Sequence, residues 1–134
     1  MRTREKESNN FIQFIVTVIA AGVIFPLLYL RQNFEVSILD SFKIELSQLS
    51  YCYSLLGIIF AITYLPSGWL ADKFSCKKLM ILSLSLTALI GVWFSFIPSY
   101  TSLIIIFCGW GLTTGLTFWS AHLKIIAILA GREQ

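Results

Sequence analysis

The chain has 134 residues, of which 57% are hydrophobic and only 13% charged, about half the charged share of an average soluble domain. That excludes most water-soluble folds, and the 10 Lys and Arg and 7 Asp and Glu gather in knots between apolar runs, a pattern that fits membrane orientation better than nucleic-acid binding. Cys52, Cys76 and Cys108 have no CxxC pairing, which argues against a disulfide framework or a zinc site and leaves them as small apolar fillers.

Four apolar runs follow one another along the chain, at 11–30, 49–71, 79–97 and 103–121, the last continuing in apolar residues to 130. Roughly 20 residues at about 1.5 Å each cover a hydrocarbon core of about 30 Å, so each run predicts a transmembrane helix. The runs are continuous rather than alternating, which excludes a membrane β-barrel. The expected fold class is therefore an all-α membrane protein of four transmembrane helices, with residues 1–10 a cytoplasmic N-terminus and 131–134 a cytoplasmic end.

The first run follows Arg2, Arg4 and Lys6 as a secretory leader would, yet it continues through Phe25, Leu27, Leu28 and Leu30. A leader's apolar region is about 7–15 residues, so an uncleaved first helix is expected. Basic residues then set the orientation. Arg2, Arg4 and Lys6 precede helix one, Lys73, Lys77 and Lys78 lie between helices two and three, and Lys124 and Arg132 close helix four, whereas the opposite side has Arg31 and Lys43. The positive-inside rule puts both termini in the cytoplasm.

Pro26 and Pro66 predict bends, and the spacing of Gly109, Gly111 and Gly115 predicts close helix approach, by ordinary packing within one bundle more readily than by dedicated dimerisation. Trp69, Trp93, Trp110, Trp119 and Tyr100 fall partly near helix ends, where interface anchoring accounts for them; Trp110 and Trp93 lie further in and read as packed aromatics. His122 near the end of helix four invites a proton-relay reading. Runs one, three and four contain no acid to exchange protons with it, so a packed His is expected. No Ser/His/Asp, Cys/His or paired-carboxylate arrangement is visible, so neither an enzyme nor a metal or cofactor site is expected.

The densest chemistry lies at 68–78, where Gly68, Asp72, Lys73, Lys77 and Lys78 make a compact charged turn between helices two and three. Any short cytoplasmic loop attracts lysines; the spacing of Gly, acid and bases together carries more. It resembles the loop signature of the major facilitator superfamily, with Ser75 in place of its second Gly. The resemblance implies a multi-pass transporter in which this loop is a conformational gate, its Asp facing charged residues of the other half of the molecule.

A second likeness lies at 28–34, where Arg31, Asn33 and Phe34 resemble the helix-one motif of the organophosphate:phosphate antiporter branch; Cys108, Gly109 and Trp110 add a weaker one. The resemblance implies Arg31 as an anion ligand, and guanidinium offers a fork of donors matched to phosphate or carboxylate. Tyr64 departs from the branch, which tends to place a Lys there, so one phosphate clamp is missing and a carboxylate or mono-anion suits the site as well. Depth decides Arg31's role. If helix one ends near Leu30, Arg31 snorkels to the interface; if it continues to about Leu39, Arg31 lies within the helix, where an ionisable residue is usually functional.

The resemblance spans four of the family's twelve helices, and residues 130–134 read as the start of the loop after helix four, so a truncated bundle is expected. Its partners would be the bilayer, a small organic anion such as a sugar phosphate or sugar acid, and a complementary chain carrying the remaining helices, since alternating access takes place between two six-helix halves. A transport-inactive remnant or accessory membrane protein is the alternative. A stand-alone four-helix multidrug exporter would need an acid in helix one, where only Gln13 and Thr17 are polar.

Overall fold

The computed structural model describes the backbone of residues 2–129 and 131 and the side chains of residues 11–25, 29–129 and 131. Within these bounds all regular structure is helical. The side chains of Arg2, Arg4, Lys6 and Pro26, and residues 130 and 132–134 with Arg132, lie outside the described residues. The helices are α1 (Arg2–Leu28), α2 (Leu30–Phe42), α3 (Leu46–Lys73), α4 (Cys76–Ser95), α5 (Tyr100–Thr113), a π-helical segment (Thr114–Phe118) and α6 (Trp119–Leu129). Four runs among them are long and apolar enough to cross a membrane: Phe11–Phe42, Leu46–Lys73, Cys76–Ser95 and Tyr100–Leu129.

The first span runs well past Leu30. It leaves helical geometry at Tyr29 (φ −108°, ψ 17°) and at Phe34 (φ −129°, ψ 20°), then continues to Phe42. Tyr29 stands one turn after Pro26, which brings no N–H to the helical ladder. The chain then turns through Lys43, whose left-handed backbone (φ 51°) ends α2, and α3 starts where the Gln48 side-chain oxygen accepts the Glu45 N–H at 3.0 Å, satisfying one of the free donors of a helix start. Lys73 closes α3, and Phe74 and Ser75 are extended. That brief break turns the chain into α4.

The fourth span is the centre of the bundle. Over its most apolar window 56% of residues are buried, against 22% or less in the other three. Close contact with α3 comes through missing side chains: a Cβ on Gly111 would stand 2.8 Å from the Leu56 carbonyl oxygen, and one on Gly115 would stand 3.0 Å from that of Phe60. The Gly spacing thus serves packing within this chain. Small residues let helix backbones approach where lipid supplies no hydrophobic drive between helices.

Two apolar clusters hold the ends of the bundle. Ile24, Ala71, Leu79, Met80, Phe118 and Ala121 pack at the end that holds the 74–75 turn, and Ile38, Leu49, Leu103, Ile106, Phe107 and Trp110 pack at the opposite end. Trp110 is fully buried, set against Phe94 and Phe107 with ring centroids 5.4 and 5.3 Å away, and its Nε1–H donates to the Thr87 carbonyl at 3.3 Å. Trp69 and Trp93 are exposed.

Between the clusters runs a buried polar seam. Ser83 donates to the Thr113 carbonyl (2.9 Å) and Thr87 shares a hydrogen bond with Thr113 (3.0 Å). Thr114 and Thr117 donate back to the carbonyls of Trp110 and Thr113, each at 2.6 Å. Such back-bonding competes with the helical ladder, and the π-helical segment begins here. The hydroxyls thus bind α4 to α5 with every polar atom named here partnered, as a dry interior requires.

Candidate functional site

Arg31 sits on α2, inside the span Phe11–Phe42. Its backbone N–H donates to the Tyr53 hydroxyl of α3 at 2.9 Å, and its guanidinium carbon lies 6.0 Å from the centre of the Tyr53 ring. The break at Tyr29 leaves the start of α2 short of partners, and Tyr53 supplies one from the neighbouring helix. Arg31 Nε donates to Glu35 Oε2 at 2.6 Å, with the two side chains 35% and 36% exposed. The guanidinium is half-buried and already engaged on its Nε edge.

Glu35 corrects the expectation that the first span holds no acid. Glu35 and Asp40 both belong to α2, hidden from sequence reading because Arg31, Glu35 and Asp40 interrupt the apolar run and mimic a loop. The signal was present in the spacing: residues four apart on a helix face one another. Near Arg31 an apolar groove of about 340 Å³ opens between α2 and the end of α4, with Phe34, Ile38, Phe42, Phe94 and Ile97 in its walls and no charged residue among them.

The 68–78 junction stands at the other end of the molecule. Asp72 is exposed, and its Oδ1 accepts from Lys124 Nζ at 2.7 Å, while Lys124 also donates to the Ala71 carbonyl at 3.2 Å. The end of α3 is thereby joined to α6, a pairing between residues far apart in the chain that the sequence does not announce. Lys73 folds back over the Trp69 ring at 4.8 Å. Lys77 and Lys78 are exposed and make no ion pair among the described residues. Gly68 is exposed, and a Cβ there would meet nothing within 4 Å. Tyr64 is exposed and stacks on Phe60, with centroids 6.1 Å apart.

Deeper in the same end, Ser67 of α3 and Ser120 of α6 share a hydrogen bond. His122 is buried and stacked on Phe118 at 5.4 Å, with Trp119 edge-on. Its Nδ1 and the Trp119 Nε1 have no hydrogen-bond partner among the described residues. The site therefore has two poles, an Arg31–Glu35–Tyr53 group on one end and an Asp72–Lys124 tie on the other, with the polar seam between. No group of three or more His, Cys, Asp or Glu that could hold a metal occurs among the described residues.

Against known proteins, the model of the Major Facilitator Superfamily matches residues 10–134. The inner membrane protein YqcE of Escherichia coli K12 is 28% identical over 131 residues, covering 96% of this chain and 31% of its own length. The inner membrane protein YihN of the same organism is 25% identical over 121 residues, 90% of this chain and 29% of its own. An uncharacterized protein of Mycoplasma pneumoniae is 28% identical over 81 residues, 60% of this chain and 62% of its own. The chain thus spans about three tenths of the length of the first two. No solved structure gives a significant match.

Proposed function

The chain belongs to the Major Facilitator Superfamily, a family of membrane transporters, and from that premise we propose that it carries the anion-binding and gating elements for moving a small organic anion, such as a sugar phosphate or sugar acid, by alternating access. Arg31 is the anion ligand. The 68–78 junction, with Gly68, Asp72, Lys73, Lys77 and Lys78, is the gate, and the helices needed for a two-sided cavity come from a complementary part of the transporter.

The observation that carries this reading is the position of Arg31 within a helical span rather than beyond its end. Ionisable residues within spanning helices usually mark substrate paths. Arg31, Asn33 and Phe34 support a likeness to organophosphate:phosphate antiporters, while Tyr64 leaves the phosphate clamp of that branch incomplete. Lys73, Lys77 and Lys78 at one junction support a cytoplasmic placement of that end and of both termini. The printed names of the two Escherichia coli relatives support the inner membrane as its location.

The test is uptake of labelled gluconate and glycerol phosphate into vesicles from cells that express the chain together with the complementary part of its transporter. Anion uptake above that of vesicles lacking the protein, abolished by Arg31→Lys, is the expected result. Uptake equal to the empty control overturns it and leaves an accessory membrane protein without transport of its own.

A further inference from the structure

We propose that Tyr53 is the positioning residue of the Arg31 site: its hydroxyl fixes the main chain of Arg31 where the first span is broken, and so sets where the guanidinium meets an anion. This rests on the reading of Arg31 as an anion ligand. The span departs from helical geometry at Tyr29 and again at Phe34, so residues 30–33 form about one turn held between two breaks.

At the first break the Tyr29 N–H donates to the Phe25 carbonyl and the Gln32 N–H to the Tyr29 carbonyl, each at 3.0 Å, while the Arg31 N–H donates sideways to the Tyr53 hydroxyl of α3 at 2.9 Å. At the second break Arg31 Nε reaches over Phe34 to Glu35 Oε2 at 2.6 Å. Arg31 thus bridges both breaks, the first through its main chain and the second through its side chain.

A single turn has too few ladder bonds of its own to fix its place, so contacts from the neighbouring helix decide it. Tyr53 is a firm post for that purpose. Its ring lies edge-on to Phe107 with centroids 4.8 Å apart, and Phe107 is fully buried beside Trp110 at 5.3 Å. The guanidinium carbon stands 6.0 Å from the centre of the same Tyr53 ring, so both ends of Arg31 are referred to one side chain seated in the core. A guanidinium fork grips an anion only in register with it, and a small displacement of such a group weakens the contact steeply.

Tyr53→Phe keeps the ring and its seat on Phe107 and removes only the hydroxyl. In vesicles from cells that express the chain with the complementary part of its transporter, KM for labelled gluconate and glycerol phosphate is expected to rise roughly five- to tenfold, the worth of one hydrogen bond, at an unchanged maximal rate. In the purified protein, amide hydrogen exchange at residues 29–34 quickens and the unfolding midpoint in detergent stays nearly the same. Unchanged exchange at 29–34, or an unchanged KM in vesicles where Arg31→Lys still abolishes uptake, overturns the positioning role and leaves Arg31 as the anion ligand. A lower maximal rate with an earlier midpoint and the same KM also overturns it, making Tyr53 a packing residue. Uptake no greater than in empty vesicles, or indifferent to Arg31→Lys, overturns the anion site and this proposal together.

Discussion

Asp72 and Lys124, separated by 52 positions in sequence, meet at 2.7 Å and tie the end of α3 to α6. Asp72 is 77% exposed and Lys124 36%, so the pair is worth little to folding, under about 1 kcal/mol. A gate, by contrast, depends on such a contact forming in one conformation and breaking in another. Asp72→Asn is expected to leave unfolding in detergent nearly unchanged while anion uptake changes by about tenfold. The double exchange Asp72→Lys with Lys124→Asp should recover most of it. Equal loss of stability and uptake would reduce the pair to a structural clasp.

The glycines separate packing from mechanism. Gly115→Ala drives a Cβ to 3.0 Å from the Phe60 carbonyl oxygen and is expected to destabilise the bundle by about 1–3 kcal/mol, read as an earlier unfolding midpoint in denaturing detergent. Gly68→Ala meets nothing within 4 Å, so its midpoint should stay the same or rise slightly, as helix propensity favours Ala. Any effect of Gly68→Ala on uptake would then belong to motion of the junction rather than to folding.

Removing the Ser83 hydroxyl tests the polar seam. Ser83→Ala breaks its hydrogen bond to the Thr113 carbonyl, and that carbonyl still accepts from Thr117, so no buried acceptor is orphaned. The expected cost is about 0.6 kcal/mol, the average for side-chain hydrogen bonds between membrane helices. A loss of several kcal/mol would mean that the seam acts as one cooperative unit.

Trp110→Ala removes a fully buried ring from the Phe94 and Phe107 cluster and should cost about 3–5 kcal/mol, enough to abolish a defined unfolding transition in a marginal bundle. Trp69→Ala, at an exposed position, should cost little. Comparable losses at both sites would contradict the placement of Trp110 at the centre.

What the sequence made legible was whatever the bilayer itself demands. Continuous apolar runs must be helices in lipid, so four spans could be read before any contact was known, and the Gly111 and Gly115 spacing could be read as backbone approach. The extent of the first span was not legible, because Arg31, Glu35 and Asp40 make the second part of it look like a loop, and only packing on α3, with Tyr53 reaching Arg31, reveals it as helix. The Asp72–Lys124 tie was hidden for another reason: it depends on how α6 lies against α3, which no local pattern encodes. The π-helical segment has a local cause in the hydroxyls of Thr114 and Thr117, yet threonines back-bond in many helices that stay regular, so their presence alone predicts nothing.

The span that binds the others together, Tyr100–Leu129, is the last of the four in order of synthesis. A ribosome delivers Phe11–Phe42, Leu46–Lys73 and Cys76–Ser95 to the membrane before the surface that α3 and α4 pack on has been made. The close approach of Gly111 and Gly115 to α3 can form only after the fourth span has been made. A chain halted before Tyr100 would hold the first three spans without the helix on which α3 and α4 pack.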